Sequence, residues 1–174
     1  NMLIQAANVV LHKQPNTIFL IVGQGFMLGQ LRESVLRLDI EDKVIFTGSV
    51  QHELIPQYIS ASDICVAPFE NNEVTVCKSP LKIVEYMAME KAIVASNVGE
   101  VRKMLGGVGI LVEAGNFYSL AEGVLRLLRD RCLKDKLGMM ARQRAERRYN
   151  WSKTAQNLLN MYERAINLKQ KIKT

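Results

Sequence analysis

The chain has little of what metal sites and disulfide frameworks require. Its 174 residues include three cysteines and two histidines. Cys65, Cys77 and Cys132 are odd in number, widely spaced and not arranged as paired ligands, so neither a disulfide framework nor a zinc site is predicted. His12 and His52 have no acidic or thiol partner at ligand spacing, and we expect both at the surface. This cysteine usage suits a reducing cytoplasm.

The sequence also lacks the apolar run of roughly 20 residues that a membrane-spanning helix needs. Its first five residues carry neither a basic lead-in nor a cleavage pattern. No linker rich in glycine, serine or proline and no internal repeat marks a second domain. With 174 residues and 48% hydrophobic content, we expect one soluble domain, residues 1–174, that contains a substantial core.

Acidic residues are scarce at one end of the chain. The net charge is +6, yet residues 126–174 carry 14 Lys and Arg against 4 Asp and Glu, whereas residues 1–125 carry 9 against 13. Such a basic end suits peripheral contact with anionic lipid or an acidic neighbouring domain, although a solvated helix face is the commoner explanation. No aromatic residues interleave for base stacking, so nucleic acid is not a predicted partner.

What the chain does contain is a regular alternation of short apolar runs and amphipathic segments. The apolar runs are typical of buried strands, and the segments between them have helical periodicity. This alternation predicts an α/β fold, a Rossmann-like doubly wound parallel sheet flanked by helices, with a helical C-terminal part over residues 116–174. The predicted strands are 17–22, 43–48, 64–68, 93–95 and 109–112. The predicted helices are 2–13, 27–38, 52–60, one from residue 80, 101–105 and 152–168.

In an open parallel sheet, ligands bind outside the carboxyl ends of the strands. The loops predicted at that edge are 23–26, 48–51, 69–79 and 96–100. Gly23 and Gly25 allow the backbone to approach a ligand closely, and a turn with positive φ angles explains them equally well. We expect both explanations to hold.

The most informative loop leads into a helix at residue 80. Ser79 is predicted to cap this helix, and Pro80 to occupy its first position, where the N–H that proline lacks would be unpaired anyway. A helix start presents free N–H groups and a partial positive charge. We therefore expect it to suit a phosphate that arrives from the crevice.

The same helix is predicted to turn a carboxylate toward that crevice. At the helical period, Lys82 and Glu85 lie on the flank of an apolar arc. Glu85 can therefore face a cleft without entering the core. A simpler alternative is a surface ion pair between Lys82 and Glu85, worth a few tenths of a kcal/mol at that spacing. The predicted arc consists of Leu81, Val84, Met87 and Ala88.

Several segments in this order resemble the carboxyl-terminal, nucleotide-sugar-binding half of a group 1 glycosyltransferase, family 4, with the GT-B fold of two Rossmann-like domains. Each segment alone is a weak signal, whereas their order and spacing together are specific. The segments are Ile-Val-Gly-Gln-Gly at 21–25, Ile-Glu-Asp-Lys-Val-Ile-Phe-Thr-Gly-Ser-Val at 40–50, Ile-Ser-Ala-Ser-Asp at 59–63, Glu-Tyr-Met-Ala at 85–88, Gly-Ile-Leu-Val-Glu at 109–113 and Tyr-Asn-Trp-Ser at 149–152.

The resemblance implies a donor site. Glu85 would bind the ribose of the donor nucleotide, and backbone near Val50 would lie close to its base. Amides near the helix start, from Ser79 to Lys82 and including Leu81, would contact the diphosphate. Lys78 or Lys82 would add a point charge there, or would face solvent. No catalytic residue is identified, with Glu85 and Lys82 the only candidates, and no metal or cofactor is implied.

The chain departs from the family pattern at one position of the site. Many members carry a second glutamate eight residues before the ribose-binding one, and Cys77 stands there. Cys77 is expected to be a small loop residue rather than a nucleophile. The Lys-Ser-Pro-Leu-Lys run at 78–82 resembles one sub-group of bacterial glycan-assembly transferases. A generic nucleotide-binding or dehydrogenase-like domain is not favoured, since no distinct acidic ribose ligand follows the glycine turn by about 20 residues.

By resemblance, an earlier strand, a phosphate-binding loop and a whole acceptor-binding domain precede this region in relatives. The chain is therefore expected to be an inactive fragment. The parent enzyme would transfer a sugar from a nucleoside-diphosphate sugar, with retention of configuration, to a glycan or lipid-linked acceptor. The alternative is a non-catalytic GT-B-like scaffold or partner-binding module. The closing helix would carry an apolar stripe left exposed.

Overall fold

Helices and short parallel strands alternate up to residue 112, and the rest of the chain is helical. The computed structural model describes the backbone of residues 1–172 and the side chains of residues 1–168. The strands are β1 (Phe19–Val22), β2 (Val44–Gly48), β3 (Ile64–Ala67), β4 (Ala92–Ser96) and β5 (Ile110–Val112). The helices are α1 (Met2–Lys13), α2 (Leu28–Arg37), α3 (Ile55–Ala61), α4 (Glu73–Val76), α5 (Leu81–Ala88), α6 (Gly99–Leu105), α7 (Phe117–Arg129), α8 (Arg131–Arg148) and α9 (Trp151–Ile172). The predicted α/β order is confirmed, and residues 173–174 of the predicted helical part lie outside the described residues.

The strands form two parallel sheets. β1 pairs with β2, while β4 lies between β3 and β5. The predicted α/β fold of parallel strands flanked by helices is confirmed, and within residues 1–172 these strands form two sheets. The physical reason is that a cavity separates β1 from β3, so their backbones do not hydrogen-bond to each other.

Strand β4 is buried on both faces. Ala92 and Val94 pack in a cluster with α1 and α7, whereas Ile93 and Ala95 pack in a second cluster with α5, α6 and α8. Because helices cover both faces, the strand is a continuous apolar run without polar alternation. Ser96 ends the strand and is fully buried.

Two arginines of α8 contact the carboxyl ends of neighbouring helices. Arg142 donates to the carbonyl of Ala88 at the end of α5. Arg144 Nη1 donates to the carbonyls of Met104 and Gly106, at 3.1 Å and 2.8 Å, at the end of α6. Carbonyls at the end of a helix have no N–H partner within that helix, and a cation is stabilising there. Part of the basic charge of residues 126–174 therefore acts inside the domain.

No helix among residues 1–172 is both long and apolar enough to cross a bilayer. Lys134 of the basic segment pairs with Asp63 at 3.3 Å, and Arg131 lies 3.6 Å from Asp135. Two more basic side chains of residues 126–174 are therefore paired with carboxylates of the same domain. Peripheral membrane contact by the remaining ones stays a prediction, and the side chains of residues 169–174 lie outside the described part.

Helix α9 leaves its apolar stripe uncovered, as predicted. We expect the chain to self-associate and to bind a hydrophobic dye, because a contiguous apolar face is costly in water. Gel filtration over a concentration series should show the association, and Leu159→Glu should weaken it. A clean monomer that binds no dye would contradict this prediction. The stripe consists of Leu158, Leu159, Met161, Tyr162 and Ile166, which are 49% to 67% exposed.

The three cysteines differ in access. Cys65 is buried in β3, whereas Cys77 and Cys132 are exposed. Burial raises the pKa of the Cys65 thiol to about 12. The thiolate is the reactive form, so this buried thiol is largely unreactive at pH 8. A disulfide reagent should therefore modify Cys77 and Cys132 quickly, and Cys65 only after denaturation. The variant Cys65→Ala should leave the number of rapidly reacting thiols unchanged. Three thiols that react at one rate would refute the burial of Cys65.

Candidate functional site

The loops after β1 and β2 meet at a pair of glycines. Gly23 has a φ of 127° and Gly48 a φ of 70°. The N–H of Gly23 donates to the carbonyl of Gly48 at 3.0 Å. These angles favour glycine, so the predicted turn role of Gly23 is confirmed. Gly25 is exposed and not among the residues of positive φ, so the predicted positive angle is wrong there, because the turn is already made at Gly23.

The loop after β3 contains a helical turn. Residues 69–79 were expected to form a loop, but α4 lies within them. Asn72 Oδ1 accepts from the N–H of Thr75 at 3.0 Å, and Thr75 Oγ1 accepts from the N–H of Asn72 at 3.1 Å. This reciprocal cap stabilises one turn of helix in a polar sequence, which explains the missed element. Cys77 ends the turn and is exposed, as expected of a loop residue.

This turn packs against the start of α6. A Cβ atom added to Gly99 would lie 2.2 Å from the carbonyl oxygen of Val76, and Gly99 has a φ of 42°. Only glycine allows this approach without displacing backbone. The loops after β3 and β4 therefore hold each other in place at the carboxyl edge.

Phe69 is fixed at the point where β3 enters its loop. Its N–H donates to Ser96 Oγ at 2.9 Å, and its carbonyl accepts from the N–H of Gly115 at 3.3 Å. The ammonium of Lys82 lies 4.7 Å from the centroid of the Phe69 ring, a distance typical of a cation–π contact. Ser96 thus positions Lys82 through Phe69. Neither Phe69 nor Ser96 was predicted, although a serine that ends a fully apolar strand was a usable signal.

Ser96→Ala should destabilise the domain. It removes the only acceptor found for the Phe69 N–H among the described residues, and Ser96 is 0% exposed. Leaving this partly buried N–H without an acceptor costs up to about 1–3 kcal/mol, the range for a fully buried donor. Urea unfolding measures the change, and Ser60→Ala at an exposed position is the matched control, with an expected effect within about 0.5 kcal/mol. Equal stability of the two variants would contradict the role of Ser96.

Helix α5 begins one residue later than predicted. Pro80 is its N-cap, with an extended φ of −77° and ψ of 110°, and no side chain caps the helix. The predicted cap by Ser79 is therefore wrong, because Pro80 stands between Ser79 and the first turn. The amides of Leu81 and Lys82 at the first two helical positions have no acceptor within the helix. This end of α5 is open, since Ser79 is exposed and Leu81 is 70% exposed.

The buried face of α5 also differs from the predicted arc. Ile83 and Met87 are fully buried, whereas Leu81 is exposed and Val84 is half-buried. Ile83 and Met87 are four residues apart, so they lie on one face and pack toward β4. Leu81 was placed in the core wrongly, because it precedes the first full turn that contacts the sheet.

Lys82 and Glu85 do not pair with each other. Lys82 turns toward Phe69, and its pKa is lowered by burial and by the charge of Lys78. The Glu85 carboxylate is half-buried and, within residues 1–168, makes no hydrogen bond or ion pair. The surface ion pair is therefore not formed. The carboxylate oxygens of Glu85 can therefore accept hydrogen bonds from a ligand in the cavity that separates the two sheets.

That cavity has a volume of about 730 Å³ and reaches the carboxyl edge. Lys82, Glu85 and Tyr86 of α5 line it together with Val22 at the end of β1. Burial raises the pKa of Tyr86 to about 12, so this phenol stays neutral at physiological pH. The structure thus brings two of the predicted residues to one cavity. The predicted residues outside its lining are Gly23, Gly25, Val50, Ser79 and Leu81.

A Rossmann-like α/β domain with an open helix N-terminus and an available carboxylate at its carboxyl edge defines a class of ligand-binding domains. The sequence profile described as "Glycosyl transferases group 1" matches residues 1–130. The chain belongs to the group 1 glycosyl transferases, and its region corresponds to their C-terminal domain.

Curated relatives match most of this chain. It is 29% identical over 161 residues to alpha-D-kanosaminyltransferase of Streptomyces kanamyceticus. This alignment covers 91% of this chain and 40% of that protein. It is 33% identical over 146 residues to a phosphatidyl-myo-inositol mannosyltransferase of Mycobacterium leprae. This alignment covers 83% of this chain and 37% of that protein. The chain thus spans about two-fifths of the length of these relatives.

Solved structures share the fold. Sucrose-phosphate synthase from Thermosynechococcus elongatus superposes with a TM-score of 0.79 at 25% identity, over 95% of this chain and 43% of that one. The Anabaena protein HepE, solved in complex with UDP, superposes with a TM-score of 0.76 at 24% identity, over 93% of this chain and 44% of that one. The GT-B likeness of the fold is therefore confirmed.

Proposed function

We propose that this chain is the donor-binding half of a retaining, family 4 glycosyltransferase that uses a nucleoside-diphosphate sugar. The observation that carries the proposal is the available Glu85 carboxylate beside the open start of α5. A carboxylate accepts two hydrogen bonds from a ribose diol. The free amides of Leu81 and Lys82 suit the diphosphate, and the positive end of α5 favours its charge.

The remaining predicted residues have supporting roles in this proposal. Gly23 and Gly25 line the approach to the donor, and the backbone at Val50 meets the nucleotide base. Ser79 lies in the loop that reaches the diphosphate. Lys82 supplies a positive charge whose position is set by the Phe69 ring. HepE, with the same fold, was solved with UDP, which supports the choice of ligand class.

The chemistry that follows is stabilisation of a leaving group. As the glycosidic bond to the diphosphate breaks, negative charge grows on the diphosphate, and preorganised amides stabilise that charge. No metal or other cofactor has a part in the proposal. Within residues 1–168, no cluster of three or more His, Cys, Asp or Glu side chains could hold a metal ion. Glu85 positions the nucleotide and is not assigned a step in bond breaking.

Transfer needs a second domain in this proposal. An acceptor-binding domain of the parent protein closes over the donor, excludes water and brings the acceptor hydroxyl to the anomeric carbon. We propose a glycan or lipid-linked acceptor and a cytoplasmic enzyme, peripheral at the membrane. The mannosyltransferase relative is named for a phosphatidyl-myo-inositol, which supports a lipid-linked acceptor.

Calorimetric titration of the parent protein tests the donor class. UDP, GDP and their sugars should include at least one ligand that binds, while the free monosaccharides should not. NMR of the anomeric proton during turnover should show a product with the donor's configuration. Failure of every nucleotide to bind would sink the proposal, and an inverted product would remove the retaining mechanism alone.

A second candidate is a non-catalytic scaffold with the same fold. Cys77 favours it, because the position of the second family glutamate holds an exposed thiol in this chain. A scaffold would bind neither a nucleotide nor its sugars. Cys77→Glu distinguishes the two, since it should change the rate of a transferase and leave a scaffold inert.

A further inference from the structure

A groove follows the outer edge of β5, at the end of the sheet formed by β3, β4 and β5. β4 lies between the other two strands, so the outer edge of β5 has no strand partner within residues 1–172. The groove, which we call the edge groove, has a volume of about 560 Å³. It shares no lining residue with the cavity at the candidate donor site. Its lining includes Ile110 and Val112 of β5 and Gly123, Arg126 and Arg129 of α7.

The backbone of β5 can form hydrogen bonds along this outer edge. The carbonyl of Val112 accepts from the N–H of Asn97, which follows β4, at 2.8 Å. Successive residues of a strand turn their N–H and C=O groups to alternate sides, so Leu111 turns both of its groups outward. The strand contains no proline and no charged residue, the features that commonly block pairing at an edge. The edge can therefore accept a further strand.

Helix α7 forms one wall of the edge groove, and it lies close to the sheet because residue 123 is glycine. A Cβ atom added to Gly123 would lie 2.7 Å from Val94 Cγ1 and 3.1 Å from Val112 Cγ1. The missing side chain lets the helix backbone approach β4 and β5. A strand added to β5 would therefore turn every second side chain toward α7.

The arginines of the edge groove are available to a ligand, whereas its carboxylates already have partners. Arg126 and Arg129 make no hydrogen bond or ion pair within residues 1–168. Glu122 accepts from Lys13 Nζ at 2.6 Å, and this hydrogen bond is the main cause that lowers the pKa of Glu122. Asp130 Oδ1 accepts from a backbone N–H in the first turn of α8 at 2.8 Å. Two guanidinium groups, three residues apart on α7, therefore remain for the carboxylates of a ligand.

We propose that the edge groove binds an extended, acidic segment of a partner protein, which adds to the outer edge of β5 as a further strand. Its backbone bonds to Leu111, and its carboxylates contact Arg126 and Arg129. Ile110 and Val112 pack on the side of α7, whereas Leu111 packs on the opposite side. The segment therefore carries acidic residues at every second position, with apolar residues between them. In such strand addition, main-chain hydrogen bonds supply affinity and alternate side chains supply specificity.

The combination of groups in the edge groove favours a polypeptide over other acidic ligands. Only a polypeptide supplies N–H donors and C=O acceptors at the spacing of a strand together with carboxylates. A small anion or a lipid headgroup would pair with the guanidinium groups and leave the outward backbone groups of Leu111 without a partner. The edge groove is separate from the donor site, so this binding does not depend on which nucleotide the protein uses.

A dye-labelled peptide tests the edge groove of the parent protein. The peptide has about eight residues of alternating glutamate and valine, within the usual length of a strand. Its control is N-methylated at every second residue, which removes N–H donors and leaves the charge unchanged. By fluorescence anisotropy, the control should bind about tenfold more weakly. Binding of the unmethylated peptide should slow amide exchange in Ile110–Val112 and leave Val44–Gly48, the edge strand of the other sheet, unchanged.

Charge reversal tests the two arginines. The double variant Arg126→Glu/Arg129→Glu should bind the peptide at least about tenfold more weakly, because it removes two charge-assisted contacts. The matched control is Arg147→Glu/Arg148→Glu, which makes the same change in the last turn of α8 instead of α7. It should alter the affinity less than about twofold. If charge reversal lowers the stability to urea, Arg126→Gln/Arg129→Gln should still weaken binding several-fold.

Several results would overturn the proposal. Equal affinity for the methylated peptide would show that charge alone attracts it, without strand pairing. Equal affinity in the α7 and α8 charge-reversal variants would remove the arginines from the site, and slowed exchange in β2 instead of β5 would place the peptide on the other sheet. Phosphatidylserine vesicles that bind the parent protein and the α8 variant, but not the α7 variant, would assign the groove to a membrane surface. No nucleotide enters these measurements, so their failure is distinct from a failure of donor binding.

Discussion

Glu85→Ala should lower the affinity of the parent protein for the proposed nucleotide-sugar donor by about 10- to 100-fold. Hydrogen bonds to a charged group contribute about 1.5–3 kcal/mol, and each 1.4 kcal/mol is tenfold in affinity. The carboxylate makes no hydrogen bond or ion pair among residues 1–168, so its removal breaks none there. The loss should therefore appear in donor binding and not in the free energy of unfolding.

Calorimetric titration measures this effect, with two further variants for comparison. Glu85→Gln keeps the shape and one acceptor oxygen, and its affinity should lie between those of the wild type and Glu85→Ala. Glu41→Ala removes an exposed carboxylate at the opposite, amino end of β2, and it should bind the donor normally. Undiminished donor affinity in Glu85→Ala would remove Glu85 from the site.

Gly138→Ala should destabilise the domain by about 1–3 kcal/mol, the range for overpacking of a close contact. A Cβ atom at Gly138 in α8 would lie 2.4 Å from the carbonyl oxygen of Glu90, which belongs to the turn between α5 and β4. Backbone cannot retreat as a flexible side chain can. The clash outweighs the gain in helix propensity, which is about 1 kcal/mol for alanine over glycine.

Gly29→Ala is the matched control because it makes the same change in another helix. Gly29 lies in α2 with no heavy atom within 4 Å of an added Cβ. Only the propensity term remains, so this variant should be more stable than the wild type by about 0.5–1 kcal/mol. Urea unfolding of both variants gives the two free energies. A stabilised Gly138→Ala would show that α8 does not pack closely on that turn.

Strand and helix order was predictable because it depends on local patterns. The run Ala92–Ser96 is apolar throughout, since both faces of β4 are covered, and such a run indicates a buried parallel strand wherever it occurs. The glycine turn at Gly23 was also predictable, because its φ of 127° excludes most other residues. Both signals are present in a few adjacent residues.

The predictions that failed concern contacts between distant residues. The α5 arc placed Leu81 in the core, yet which side of a short helix is buried depends on how the sheet meets it. The Lys82–Glu85 pair was a sound local alternative, but the Phe69 ring, fixed by Ser96 from another strand, attracts the lysine instead. The break between the two sheets is likewise a property of strand neighbours and not of any one strand.

The amino-acid pattern alone was sufficient for the α/β class and the carboxyl-edge loops, because periodicity and turn chemistry act over one or two turns of chain. The donor role of Glu85 is implied by the family resemblance and stays a prediction. The availability of the Glu85 carboxylate, the orientation of Lys82 and the cavity between β1 and β3 were settled only by the packed structure. Each depends on residues far apart in the chain, whose approach is set by how the helices cover the sheets.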